Sequence, residues 1–230
     1  MSADLLIDVK HLRKVYGKEE RQTVALDDVS FSMNSGDFVA MMGPSGSGKS
    51  TLLQLLGLLD VPSAGTYFFE GKETTHYSGK QLARIRNEKM GFVFQAFNLL
   101  PKTSVYDNVV LPLLYSKIPS SHWKERVLSA VDSVGLHHRL HHESGMLSGG
   151  EKQRCAIARA LVTDPAIIFA DEPTGNLDSK SGQNIMEILR GLHEKKRHTI
   201  LLITHEERIA QYAERIITVR DGLIERDVLL

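Results

Sequence analysis

The chain has 230 residues, enough for one domain with a substantial core and too few for two full-sized ones. Its 28 lysines and arginines balance 28 aspartates and glutamates, with no long run of either sign, which argues against nucleic acid or anionic lipid as its main partner. A single cysteine, Cys155, excludes an intramolecular disulfide framework and reads as a small buried apolar residue in a reducing compartment.

At the N-terminus, acidic residues bracket the short apolar run Leu5 to Ile7, unlike a basic, long-cored signal peptide. No apolar stretch approaches the ~20 residues that span a bilayer, so the expectation is a chain that is by itself soluble and cytoplasmic. Residues 5–10 and 24–33 alternate or cluster apolar residues like strands, with Lys14 to Glu20 as a polar turn, and predict a small antiparallel sheet. Tyr16 there is either a ring that stacks on a base or a half-buried strand-end tyrosine.

Phe38 to Met42 has strand character, and Thr51 to Leu56 reads as a buried helix. Between them lie Gly43, Pro44, Ser45, Gly46, Ser47, Gly48, Lys49 and Ser50, which fit the phosphate-cradling pattern of glycine, four residues, glycine, lysine and serine. Glycines let the backbone turn with N–H groups inward, and the following helix adds its unpaired donors and positive dipole end. That dipole supplies at most ~2 kcal/mol, whereas millimolar binding needs about 4, so backbone donors, Lys49 and a metal held by Ser50 share the load.

Thr66 to Gly71 predicts a strand and its exit, Lys80 to Lys89 a polar helix, and Met90 to Phe94 a strand ending on Gln95, which is either a plain polar stop or a neutral ligand for metal or water. Ala96 to Pro101 reads as an exposed, partly apolar loop. From 103 to 145 helix periodicity takes over, and Trp123, Val127, Val131 and Val134 mark one face of an amphipathic helix. The turn from His137 to His142 lacks the companions of a metal site and reads as a solvated loop. Leu147 to Arg154 opens a second helix, where Ser148 acts as a cap and Gly149 and Gly150 permit close approach of a phosphate, or the turn is an ordinary N-cap.

Ala166 to Ala170 is a continuous apolar run typical of a central parallel strand, and it ends in Asp171 and Glu172. A buried carboxylate pair costs several kcal/mol unless a cation or proton is near, so this pair points to a metal and a water. Ile185, Ile188, Leu189 and Leu192 form a helix stripe expected in the core. Thr199 to Thr204 repeats the buried-strand pattern and ends on His205, which contacts a γ-phosphate or merely caps a helix. Ile216 to Ile224 predicts a terminal hairpin.

Taken in order, these motifs resemble the ATP-binding cassette ATPases over the whole chain. Gly43 to Ser50 is similar to their Walker A loop, Gln95 to the Q-loop, Leu147 to Gln153 to the signature and Ile167 to Asp171 to Walker B. Glu172, the turn Asn176-Leu177-Asp178 and His205 follow. The resemblance implies an α/β fold: a P-loop NTPase core with a parallel sheet, a small N-terminal antiparallel β lobe and an inserted α-helical lobe at about 96–160, all in one domain spanning 1–230. It implies ATP and Mg²⁺ as ligands, with Tyr16 stacking on adenine, Thr51 among the nucleotide-binding residues and Lys49 on the β- and γ-phosphates. Ser50, Gln95 and Asp171 would organise the metal, Glu172 polarise the attacking water and His205 sense the γ-phosphate. Ser148, Gly149, Gly150 and Glu151 would act on ATP held by a second cassette, in a head-to-tail homodimer serving integral membrane permease subunits.

Within that family, Leu58-Leu59-Asp60, Phe92 to Gln95 and Pro173 to Asp178 look like the branch serving lipoprotein release, macrolide export, antimicrobial-peptide resistance and cell division. Of these, lipoprotein release is favoured, with the chain at the cytoplasmic face of the inner membrane and a separate permease. A cell-division regulator is the alternative outside transport. His142 to Met146, ahead of the signature, departs from the branch's usual approach.

Overall fold

The computed structural model describes residues 4–17 and 22–230. The expected turn at Lys18 to Glu20 and the first three residues of the N-terminal reading lie outside them. In chain order the elements are β1 (Leu5–Tyr16), β2 (Thr23–Asn34), β3 (Phe38–Met42), α1 (Lys49–Leu56), β4 (Ala64–Phe69), β5 (Lys72–Glu73), α2 (Gly79–Lys89), β6 (Met90–Phe94) and α3 (Val105–Val110). There follow α4 (Trp123–Ser133), α5 (Gly149–Leu161), β7 (Ile167–Asp171), α6 (Ser179–Lys196), β8 (Thr199–Ile203), α7 (Glu207–Ala210), β9 (Arg215–Arg220) and β10 (Leu223–Leu229). They fall into two compact units, one from the described residues of 1–83 with 197–230, the other from 84–196.

The first unit contains an antiparallel sheet in the order β2-β1-β4-β5. Ile7, Val9, Leu12, Leu26, Val29 and Met33 fill its core side, each at most 1% exposed. The register of β1 against β2 shifts repeatedly between Val9 and Val15, so strict alternation fails and the strand runs much longer than its apolar pattern suggests. Lys14, Val15 and Tyr16, expected in a turn, are the last residues of β1. In the same unit β3 pairs in parallel with both β8 and β9, and β10 closes an antiparallel hairpin on β9. Every residue of β8 and the first four of β3 are buried, as continuous apolar runs require of strands covered on both faces.

In the second unit β6 and β7 pair in parallel with Phe94 opposite Asp171. The helical stretch is more broken than its periodicity predicts. α3 has six residues, and short 3-10 turns at Leu111–Tyr115 and Ser120–His122 separate it from α4. Pro112 and Pro119 lie in or beside these turns, and a proline can neither donate the helical bond nor tolerate the preceding turn in a helix interior. Val127, Val131 and Val134 are buried, and Trp123 is half-buried with its indole N–H donated to the Ile118 carbonyl at 2.9 Å. Ile185, Leu189 and Leu192 are core, whereas Ile188 is half-buried and, with Ser129, Asp132 and Gly191, lines an open groove of about 840 Å³. The fold class is therefore α/β, with parallel strands, an antiparallel N-terminal sheet and the expected run of helices.

Candidate nucleotide site

The loop after β3 is shaped by contacts that admit no side chain at two positions. Gly43 has φ 153°, and a Cβ there would lie 2.1 Å from the Val219 carbonyl oxygen. Gly48 has φ 106°, and its Cβ would lie 2.6 Å from the Ala25 carbonyl oxygen. A methyl group at either place forces the backbone apart. Gly46, by contrast, faces open space, with nothing within 4 Å of where its Cβ would be.

Helix α1 starts at Lys49 with no side chain capping it. Its first-turn donors and dipole are thus directed to whatever the loop encloses. The Lys49 side chain is 8% exposed and folds back, its Nζ donating to the carbonyls of Gly43 at 2.8 Å and Pro44 at 2.7 Å. The Ser47 hydroxyl is buried with no hydrogen-bond partner. A buried orphan hydroxyl, an uncapped helix end and an ammonium parked on carbonyls together fit a phosphate chain, which would satisfy all three. Pro44 and Ser45 are exposed on the loop, as is Ser50 on the first turn of α1.

β8 runs parallel to β3 with Ile203 opposite Met41, so His205 leaves the sheet at the edge where the loop begins. It is exposed there, while the preceding Thr204 is buried and its hydroxyl accepts the Glu206 N–H at 3.1 Å. Tyr16, also in this unit, is 38% exposed. Its hydroxyl donates to Asp60 Oδ2 at 3.0 Å and bonds the Thr51 side chain, and the Lys14 ammonium sits 4.9 Å from its ring centroid. Partial burial and the Asp60 carboxylate push the phenol above its usual range.

In the second unit, in-register pairing of Phe94 with Asp171 brings the ends of β6 and β7, and hence Gln95 and Glu172, to one edge. Gln95 and Asn176 clasp each other: Gln95 Nε2 donates to Asn176 Oδ1 at 3.3 Å, and Asn176 Nδ2 to the Gln95 carbonyl at 3.0 Å. Glu172 adopts φ 45°, a left-handed backbone that costs a non-glycine residue of order 1 kcal/mol. Gln153, fully buried on α5, holds both strand ends, with Nε2 donating to the Pro173 carbonyl at 2.7 Å and the Phe94 carbonyl at 3.3 Å. Arg159 secures the following loop through the carbonyls of Phe97 at 2.8 Å and Asn98 at 2.5 Å.

Ser148 caps α5 in a capping box. Its hydroxyl accepts the Glu151 N–H at 3.3 Å, and its own N–H donates to Glu151 Oε2 at 2.9 Å. Glu151 also pairs with Arg139 at 2.8 Å, and the Ser148 backbone bond together with Arg139 holds its carboxyl down at about 2. The glutamate side chain is thereby committed to the cap, leaving Gly149 and Gly150 as the bare backbone of the turn. The histidine-rich segment includes a 3-10 turn at His137–Arg139, with His137 Nδ1 2.6 Å from Asp132, and the described residues contain no cluster of three or more His, Cys, Asp or Glu suited to a metal. Ser50 in the first unit, and Gln95 and Asp171 in the second, each carry a hard oxygen of the kind that Mg²⁺ takes.

Residues that sequence reasoning passed over are Lys14, Asp60, Arg139 and Gln153. The partners that define their roles lie 12 to 59 positions away in the chain, and although Asp60 sits in Leu58-Leu59-Asp60 and Gln153 ends the signature-like stretch, neither motif shows those partners.

Residues 26–175 match the model of the family described as ABC transporter. The chain belongs to the ABC transporter family. It is 51% identical over 96% of its length to a macrolide export ATP-binding/permease protein MacB of Bdellovibrio bacteriovorus, covering 34% of that protein. The cassette therefore spans about a third of the length of this MacB relative. It is 47% identical to an uncharacterised ABC transporter ATP-binding protein of Methanocaldococcus jannaschii, over 95% of this chain and 97% of that one. Among solved structures it superposes on a dimeric structure of the ATP-binding cassette MJ0796 in a post-hydrolysis state bound to ADP and Pi. That match has a TM-score of 0.88 and 40% identity, over 98% of this chain and 99% of the other. No helix of the described residues is long and apolar enough to cross a membrane.

Proposed function

We propose that this cassette hydrolyses ATP to drive a MacB-like exporter, acting with membrane permease subunits or domains at the cytoplasmic face of the membrane. Two cassettes close head to tail on two ATP molecules, and hydrolysis reopens them. The observation that carries the reading is the loop of Gly43 to Ser50. It combines an orphan buried hydroxyl, an uncapped helix and a folded-back lysine.

In this reading Lys49 exchanges its two carbonyl acceptors for phosphate oxygens, and Thr51 and Tyr16 support the base side. Mg²⁺, held through Ser50, Gln95 and Asp171, supplies charge neutralisation for the transferring phosphoryl group. Glu172 accepts hydrogen bonding from the attacking water, which a general base turns into about 10²- to 10⁴-fold of rate. His205 reports the γ-phosphate. Ser148, Gly149 and Gly150 donate to the phosphates bound by the partner cassette, while Glu151 keeps their turn in shape.

For cargo, the macrolide names carried by relatives at about half identity favour export of hydrophobic small molecules of that kind. Lipoprotein release, favoured from the sequence among the four roles of that branch, is the second reading. Phosphate release from Mg-ATP tests the first step: turnover abolished by Glu172→Gln supports it, and no turnover in the unaltered protein sinks it. With its permease reconstituted in vesicles, stimulation by a macrolide supports the first cargo, and stimulation by an acylated lipoprotein alone supports the second.

A further inference from the structure

The loop accounts for phosphates, and the contacts around Tyr16 bear on how the ring expected to hold the base is fixed. Tyr16 is the last residue of β1 and more than a third exposed, so a free side chain there would lose rotamer freedom on stacking. Immobilising such a side chain costs about 0.5–1.5 kcal/mol, equivalent to roughly two- to twelvefold in affinity.

Asp60 removes that freedom beforehand. It lies just past the C-terminal end of α1, and both it and Leu59 donate their N–H groups to the Gln54 carbonyl, at 3.2 and 2.8 Å. Its Oδ1 accepts from its neighbour Val61 N–H at 2.7 Å and from Lys14 Nζ at 2.8 Å, and its Oδ2 accepts the Tyr16 hydroxyl at 3.0 Å. Lys14 also donates to the Val61 carbonyl at 2.7 Å, and only 8% of the residue is exposed. From there its ammonium covers one face of the Tyr16 ring. A ring anchored at its hydroxyl and backed by a cation has one face left for a planar partner. Because Thr51 lies in the first turn of α1 and Asp60 just past its end, the helix that follows the phosphate loop also fixes the aromatic ring.

We infer that Asp60, with Lys14, is the positioning residue for nucleobase recognition, holding Tyr16 ready for the base at a set distance from the phosphate loop. This rests on the proposed ATP reading, and specifically on Tyr16 as the stacking ring.

The test compares binding of Mg-ATP with that of Mg-tripolyphosphate, which has the phosphates and no base, by calorimetry on the full chain. Tyr16→Ala sets the size of the ring's contribution. Tyr16→Phe keeps the ring and deletes only its anchor, and Asp60→Asn removes the charge that holds Lys14 and the hydroxyl. The expected result is that Tyr16→Phe and Asp60→Asn each weaken ATP binding roughly three- to tenfold and leave tripolyphosphate within twofold. If Tyr16→Ala weakens ATP while Tyr16→Phe binds it as the unaltered protein does, the ring stacks unaided and the inference fails, with the ATP reading intact. Equal loss of both probes on Asp60→Asn also overturns it, since the aspartate then supports only the loop's fold. ATP binding unchanged in Tyr16→Ala removes the ring from the site and the inference with it.

Discussion

Lys49 shows how a single side chain stores the capacity for a ligand. Its ammonium is almost buried and donates to two neutral carbonyls, an arrangement that a doubly charged phosphate oxygen set improves on. Replacing it by alanine should raise the dissociation constant for ATP roughly ten- to a hundredfold, the worth of a hydrogen bond to a charged group. Titration of the purified Lys49→Ala protein with ATP reads this directly, and an unchanged constant would remove Lys49 from the site. Cys155 is the opposite case. Burial pushes its thiol up to about 12, so at neutral pH it carries almost no thiolate. A thiol reagent should label the native protein at a negligible rate and label it fully in denaturant; rapid labelling of folded protein would show α5 opening locally.

At the scale of elements, the cap of α5 links sequence to pH response. Glu151 has its carboxyl held at about 2, against an ordinary 4.5, by the Ser148 backbone bond and Arg139. A depressed carboxylate contributes stability that is complete above its unfolded pKa and lost as pH falls through the folded one. The stability gap between the unaltered protein and Glu151→Gln should therefore be full at neutral pH, narrow below about 4.5 and close towards about 2. Urea melts of both proteins along that range measure it. Separately, Ser148→Ala should cost about 1 kcal/mol through loss of the cap.

Elements also decide what was legible in the sequence. The apolar runs at 38–42, 166–170 and 199–204 were legible as strands because near-complete burial leaves no alternation to confuse, and the loop of Gly43 to Ser50 because its spacing is local, although the contacts that require Gly43 and Gly48 come from Val219 and Ala25. The second half of β1 was not legible: bulges broke its period, and buried Lys14 reads as polar until Asp60, 46 residues away, is known to pair with it. Ile188 fits a core stripe by spacing, yet an open groove runs past that part of α6. Gln95, Asp171, Glu172 and His205 were legible as candidates because each lies at or just past the end of an apolar strand. Gln153 was not, since a glutamine on an apolar helix face shows its purpose only through the two carbonyls it reaches.

For the whole molecule, the central claim is that ATP joins two cassettes and that hydrolysis at Glu172 separates them. The chain has a mass of 25.7 kDa. Light scattering of Glu172→Gln in Mg-ATP tests the claim most directly, because the account expects that variant to keep the nucleotide and stall the chemistry. The account predicts a mass near twice that of the single chain with ATP, return to one chain with ADP, and phosphate release at least about a hundredfold slower than in the unaltered protein. A variant that binds ATP and stays at the mass of one chain, or that hydrolyses at the unaltered rate, would contradict it.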